Sequence, residues 1–239
     1  MNDLVAGADP EMLRTMLRDI AARDLLGRFT DSHSLPHIAE LAESISAAQY
    51  FVANMQKAAR FIRKPDYIDH ALGARSVDGL VLEFGVATGQ TINHIAAALP
   101  RQTVHGFDVF TGLPEDWRPG FPAGSFRQPG LPRVHANVEL IVGLFQDSLP
   151  GFVDTHPGPI SLLHVDCDLY SATKTIFRYL GHRLVSGSII LFDEYLNYPG
   201  WRQGEFKAFQ EFLAWSGQSY EYISIVSVHQ QVAVRINSG

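Results

Sequence analysis

The segment Val81–Thr91, VLEFGVATGQT, leaves the chain few choices of fold. A short apolar run ends on Gly85, a turn holding Gly89 follows, and helical periodicity begins at Thr91. Strand, glycine turn and helix in that order need a right-handed crossover to a parallel neighbour. Further apolar runs follow at Thr103–Phe107, Val138–Phe145, Ile160–Val165, Ser188–Phe192, Tyr222–Val228 and Val232–Ile236. Several are uninterrupted rather than alternating, as strands covered by helices on both faces must be. Helical patterns at Thr91–Leu99, Ser171–Leu180 and Gly204–Trp215 lie between them, the last with Phe206, Phe209 and Leu213 as inner stripe and Gly217 as C-terminal cap. Only His229–Gln231 separates the final two strands, which predicts a hairpin. The expectation is an α/β, doubly wound, seven-stranded and mostly parallel sheet with an antiparallel terminal hairpin.

The first 74 residues read differently, as a helical extension ahead of a main domain at 75–239. Met12, Leu13, Met16, Leu17 and Ile20 recur at helical spacing after Pro10. A longer pattern runs from Pro36 through Ile38, Leu41, Ile45, Phe51, Met55 and Ile62, and stops before Pro65. A short helix around Asp66–Leu72 leads into the domain. Lys57, Arg60, Arg63 and Lys64 read as the wet face of the long helix, and the amphipathic helices offer a surface for self-association.

Charge and composition exclude several partners. With 19 Lys and Arg against 25 Asp and Glu, the net charge is −6, and no basic stripe exists to track phosphates, which argues against nucleic acid. The one cysteine, Cys167, cannot make an internal disulfide or a cysteine-rich metal site. The N-terminal MNDLVAGADPEML has no signal-peptide pattern, and no apolar run reaches the about 18 residues of a membrane span. A soluble, cytoplasmic protein is expected.

Ligands of such sheets bind at the carboxyl ends of the strands near the switch point. Gly85 and Gly89 let backbone approach a ligand closely, and the helix that follows offers free N–H groups. The spacing is G-x-x-x-G, so neither the dinucleotide fingerprint nor a phosphate-binding loop is present. Glu83 suits a cation such as an α-ammonium better than a pyrophosphate. Asp108, closing the next strand, is placed to accept hydrogen bonds from ribose hydroxyls, and Phe145, Gln146 and Asp147 are placed to hold an adenine. A tight turn with no ligand is the plain alternative.

In HVDCDLY, Asp166 and Asp168 stand two apart in an extended segment and so point the same way. LFDEY puts Asp193 and Glu194 at the end of the next strand. Four converging carboxylates require protonation or a cation. An oxygen-only set suits Mg²⁺, Ca²⁺ or Mn²⁺. The alternative is a set of acids that cap the helices after the strands. Of two other D-x-D chemistries, the aspartyl phosphatase motif wants Thr or Val where Tyr170 stands, and the metal-dependent glycosyltransferase leaves Glu83, Gly85 and Asp108 unexplained.

EFGVATGQT and VHGFDVFTGLPEDW resemble the cofactor-binding motifs of class I S-adenosylmethionine-dependent methyltransferases. More narrowly, GFDVFTGLPEDW, HVDCDLYSATK and LFDEY resemble the macrocin O-methyltransferase family, which methylates sugar hydroxyls with the help of a divalent metal, over about residues 75–236. The resemblance implies S-adenosyl-L-methionine at Glu83, Gly85, Thr88, Gly89, Asp108, Gln146 and Asp147, Mg or Mn at Asp166, Asp193 and Glu194, and Asp168 as general base toward a small hydroxylated acceptor. The family more often shows two aspartates where this chain has Asp193 and Glu194. A non-catalytic cofactor-binding scaffold of the same fold is the reading from another class. The ten histidines form no ligand pattern, His164 reading as a core group and Cys167 as pointing inward. The Pro- and Gly-rich stretch Pro114–Pro132 reads as a substrate lid, with Trp117 and Phe121 in it. Tyr195, Tyr198 and Trp201 either line an acceptor pocket or pack.

Overall fold

A computed structural model describes residues 35–237, so the helix expected around Met12–Ile20 lies outside the described residues. The elements are α1 (Leu35–Asn54), β1 (Ala59–Phe61), α2 (Lys64–Gly73), β2 (Leu80–Phe84), α3 (Gln90–Ala98), β3 (Val104–Asp108), β4 (Val138–Val142), α4 (Phe145–Thr155), β5 (Ile160–Val165), α5 (Tyr170–Leu180), β6 (Leu184–Phe192), α6 (Glu205–Ser216), β7 (Ser219–Val226) and β8 (Val232–Asn237). The strands form one sheet in the order β1-β7-β8-β6-β5-β2-β3-β4. Among the described strands only β8 runs antiparallel, to β7 across the short hairpin loop and to β6 on its other side. No described helix is long and apolar enough to cross a membrane.

Successive side chains of β2 serve opposite faces: Val81 joins Ile92, Ile95 and Tyr67 on one side, and Leu82 and Phe84 join Phe107, Phe177 and Phe209 on the other. Gly106 in β3 leaves room for α3, since a Cβ there would stand 2.4 Å from Ile92 Cδ1.

Three expectations change. The long helix does not reach Ile62: it ends at Asn54, where the side-chain amides of Asn54 and Gln56 turn back onto the carbonyls of Tyr50 and Val52. Residues 59–61 instead form an eighth strand, β1, parallel to β7 with Ala59 opposite Ser224. Lys57, Arg60, Arg63 and Lys64 therefore share no helix face; Arg60 lies on β1, and Lys64 opens α2. The run Val138–Phe145 is not one strand either. It stops at Val142, Gly143 turns the chain at φ 147°, and Phe145 begins α4, an additional helix that tolerates Pro150.

Register now does the positioning. Phe84 lies opposite Phe107 of β3 and Val165 of β5, and Val165 lies opposite Phe192 of β6. The next residues, Gly85, Asp108, Asp166 and Asp193, must therefore emerge side by side at one rim. That rim is also where the chain's winding reverses, between β2 and β5.

Candidate functional site

The rim opens into a cavity of about 630 Å³. Of the residues singled out from the sequence, Gly85, Thr88, Asp108, Gln146, Asp166, Asp168, Asp193 and Glu194 line it together. Glu83, Gly89 and Asp147 do not. Glu83 points into the core, where its Oε2 lies 3.2 Å from His164 Nδ1. Gly89 caps the start of α3 at φ 80°, and Asp147 is an exposed acid in the first turn of α4, where the helix dipole favours it.

The glycine turn is held from within. Gly85 (φ 92°) and Ala87 (φ 43°) sit in the left-handed region. Asp108 Oδ2 accepts hydrogen bonds from the N–H groups of Val86 and Ala87, both at 2.8 Å, and its Oδ1 accepts one from Phe110 N at 2.7 Å. The carboxylate thus clamps the turn to the end of β3 while facing the cavity.

The acids at the ends of β5 and β6 carry a cation that the sequence reading placed on a solvated helix. Lys64 Nζ lies 3.0 Å from Asp166 Oδ2 and also contacts Asp193 Oδ1. Burial works against the ammonium, but the charges of Asp166 and Asp193 outweigh it and raise the lysine pKa. His164, fully buried on β5, places Nε2 3.9 Å from both Asp166 Oδ2 and Asp193 Oδ1. Burial disfavours its charge, yet the neighbouring carboxylates of Asp193 and Glu83 push it up to about 9. Asp193, although buried, is held well below the usual carboxylate range by His164 and Lys64.

The remaining acids lean the other way. Asp168 is not on an extended segment: β5 has ended, and Asp168 sits at φ 63°, a left-handed conformation that aspartate tolerates better than most. Burial and then the charges of Asp166 and Asp193 push its carboxyl up to about 7. Glu194 is raised well above its ordinary value by burial, then by Asp193 and Asp166. Its N–H donates to Glu205 Oε2 at 3.0 Å. Glu205 is itself fully buried and raised, first by burial.

His164, Asp166 and Asp193 each offer one donor atom within 4.8 Å of the others. Among the described residues, buried His164 Nε2 has no hydrogen-bond partner. That donor set fits a divalent cation, and Glu194, the third ligand that the resemblance implies, lines the same cavity. Lys64, which lines the cavity, and His164 and Glu205, buried beside its acids, are not legible there from the sequence. An apolar-flanked histidine looks like core, and a helix-opening glutamate looks like a dipole partner.

Around the mouth, Leu113, Pro114, Glu115 and Phe126 from the long loop line the cavity. Arg118 stacks over Trp117 at 4.0 Å, Tyr198 at 4.9 Å and Phe121 at 5.0 Å from the ring centroids. Tyr195 and Trp201 are fully buried and pack, and Cys167 points inward to Thr173.

Residues 82–195 match a family described as a methyltransferase domain. No curated protein matches the chain. Among solved structures it is similar to CalS11, a calicheamicin methyltransferase, at 23% identity and TM-score 0.61, covering 95% of this chain and 93% of that one. The apo structure of CalS11, described as a TDP-rhamnose 3'-O-methyltransferase, gives 23% identity and TM-score 0.54 over 98% of both chains. The O-methyltransferase NovP gives 21% and 0.53 over 73% of this chain and 78% of that one. The domain match over residues 82–195 and the sheet shared with these solved structures give the chain a Rossmann-like methyltransferase fold.

Proposed function

We propose that the chain moves the methyl group of S-adenosylmethionine to a hydroxyl of a small acceptor, a sugar or a sugar-bearing natural product, with a divalent cation at the acid pair. The observation that carries this reading is the shared cavity: the glycine turn and the acids of β5 and β6 line one space, with Asp168 on its wall. The similarity to CalS11, whose description names a rhamnose acceptor, supports the choice of acceptor class.

In this reading the cofactor lies along Gly85, Thr88, Asp108 and Gln146. Its sulfonium is already activated, so the protein's work is to align the acceptor oxygen near about 3 Å from the methyl carbon and to remove its proton. Asp168 takes that proton; its buried, acid-crowded carboxyl favours being neutral afterwards. Glu83 acts from behind the wall by fixing the His164 ring. A cation held by Asp166 and Asp193, with His164 behind them, would act as a Lewis acid on the acceptor oxygen.

The test is formation of S-adenosylhomocysteine from S-adenosylmethionine with a panel of free and nucleotide-linked sugars. Turnover on none of them, with cofactor affinity intact, would favour a scaffold. Two further outcomes are expected. Asp108→Ala removes bonds of about 1.5–3 kcal/mol to the turn and the ribose, so calorimetry should show S-adenosylhomocysteine affinity falling roughly tenfold or more. Chelation with EDTA should stop turnover, spare cofactor binding and be reversed by Mg²⁺ or Mn²⁺. Unchanged turnover after thorough chelation removes the cation from the reading.

A further inference from the structure

Lys64 is an unusual place to find a buried charge. It opens α2 just ahead of Pro65, where the unpaired N–H groups of a helix start repel a cation. Its neighbour Arg63 stays in solvent, with a side chain 71% exposed and paired to Asp66. The Lys64 side chain instead turns inward, only 29% exposed, and its ammonium touches one oxygen from each of Asp166 and Asp193. Helix position and burial both disfavour this arrangement, and the two carboxylates are what offset them.

The same two oxygens belong to the donor group completed by His164. A divalent ion bound to them at about 2.0–2.2 Å would stand within roughly 3 Å of the ammonium, too close for two cations. His164 Nε2, buried, unpartnered and 3.9 Å from both oxygens, is an independent sign that lysine alone does not complete the site. Lys64 also lines the cavity, so its four-carbon stem can carry the ammonium toward solvent while α2 stays in place.

We propose that Lys64 is an exchangeable cation: its ammonium holds the space between Asp166 and Asp193 until a divalent ion displaces it. The proposal rests on the cation reading given above. It makes Lys64 a positioning residue that keeps the acid pair together while the ion is absent, and it sets the apparent affinity for the ion. If the ammonium leaves the pair open about a tenth of the time, the apparent dissociation constant is about tenfold weaker than the intrinsic one.

Mn²⁺ titration of the full chain with S-adenosylhomocysteine bound, followed by electron paramagnetic resonance, tests this with Lys64→Met and Lys64→Gln beside the parent. Both variants should bind Mn²⁺ about tenfold or more tightly than the parent. Equal or weaker binding in the variants, with the parent binding normally, overturns the exchange and leaves the cation reading standing. Absence of Mn²⁺ binding in all three proteins overturns both. Should the variants fail to fold, acetic anhydride labelling of the parent gives the answer by mass spectrometry. Saturating Mn²⁺ should raise Lys64 acetylation several-fold, and an unchanged extent overturns the exchange.

Discussion

Asp168→Asn should lower the single-turnover rate of methyl transfer by about 10²–10⁴-fold, the usual cost of removing a general base. S-adenosylhomocysteine and Mn²⁺ should still bind. The substitution is a clean probe because Asn shares with Asp the tolerance for the left-handed backbone found here at φ 63°. The amide keeps the volume and hydrogen-bonding shape of the acid but cannot accept the acceptor's proton. Asp166→Asn is the comparison: it should lose Mn²⁺ binding as well as rate. A near-normal rate in Asp168→Asn would reduce the acid to a structural turn residue. Loss of Mn²⁺ as severe as in Asp166→Asn would make it a ligand instead.

Gly85→Ala should be the most damaging single methyl group in the protein. A Cβ at Gly85 would lie 1.6 Å from the Asp166 carbonyl oxygen, and the backbone there stands at φ 92°. No side-chain adjustment relieves a clash with backbone. The bonds that hold the rim, Asp166 N to Phe84 O at 2.8 Å and Gly85 N to Phe107 O at 2.9 Å, would have to stretch. A loss of about 4 kcal/mol or more is expected in urea unfolding, with cofactor binding lost even where the chain still folds. A parent-like unfolding midpoint would show that the turn can relax and that glycine is dispensable there.

Much of this arrangement could be read from the residues alone. Uninterrupted apolar runs such as Ile160–Val165 mark strands buried on both faces, and an acid just after such a run marks a strand end. Parallel register then puts those ends together, which is why the acids of HVDCDLY and LFDEY are expected to converge and Asp108 to stand beside the glycine turn. What escaped was set by tertiary context. Ala59–Phe61 is three residues long and lies between basic residues, so no local periodicity announces a strand; it exists because β7 offers it an edge. The helix Phe145–Thr155 contains Pro150 and follows an apolar run, so local pattern alone extends the strand into it. Lys64 was misassigned because a charge at helical spacing from other charges looks solvated, and only the fold shows two carboxylates waiting for it. His164 was half-legible: it is buried as expected, but it is buried against the acids.

The pairing of β1 with β7 has a consequence for the order in which the molecule can be completed. Among the described residues none that lines the cavity lies beyond Glu194, yet the strand just ahead of Lys64 pairs with Ser224–Val226. The helix that Lys64 opens also packs against β7. During synthesis the acids of β5 and β6 therefore emerge well before the surface that seats their lysine. A chain stopped short of Ser219 would carry every described wall of the cavity and still lack the strand that β1 pairs with and α2 packs on, so damage at the C-terminal end would be felt at residue 64.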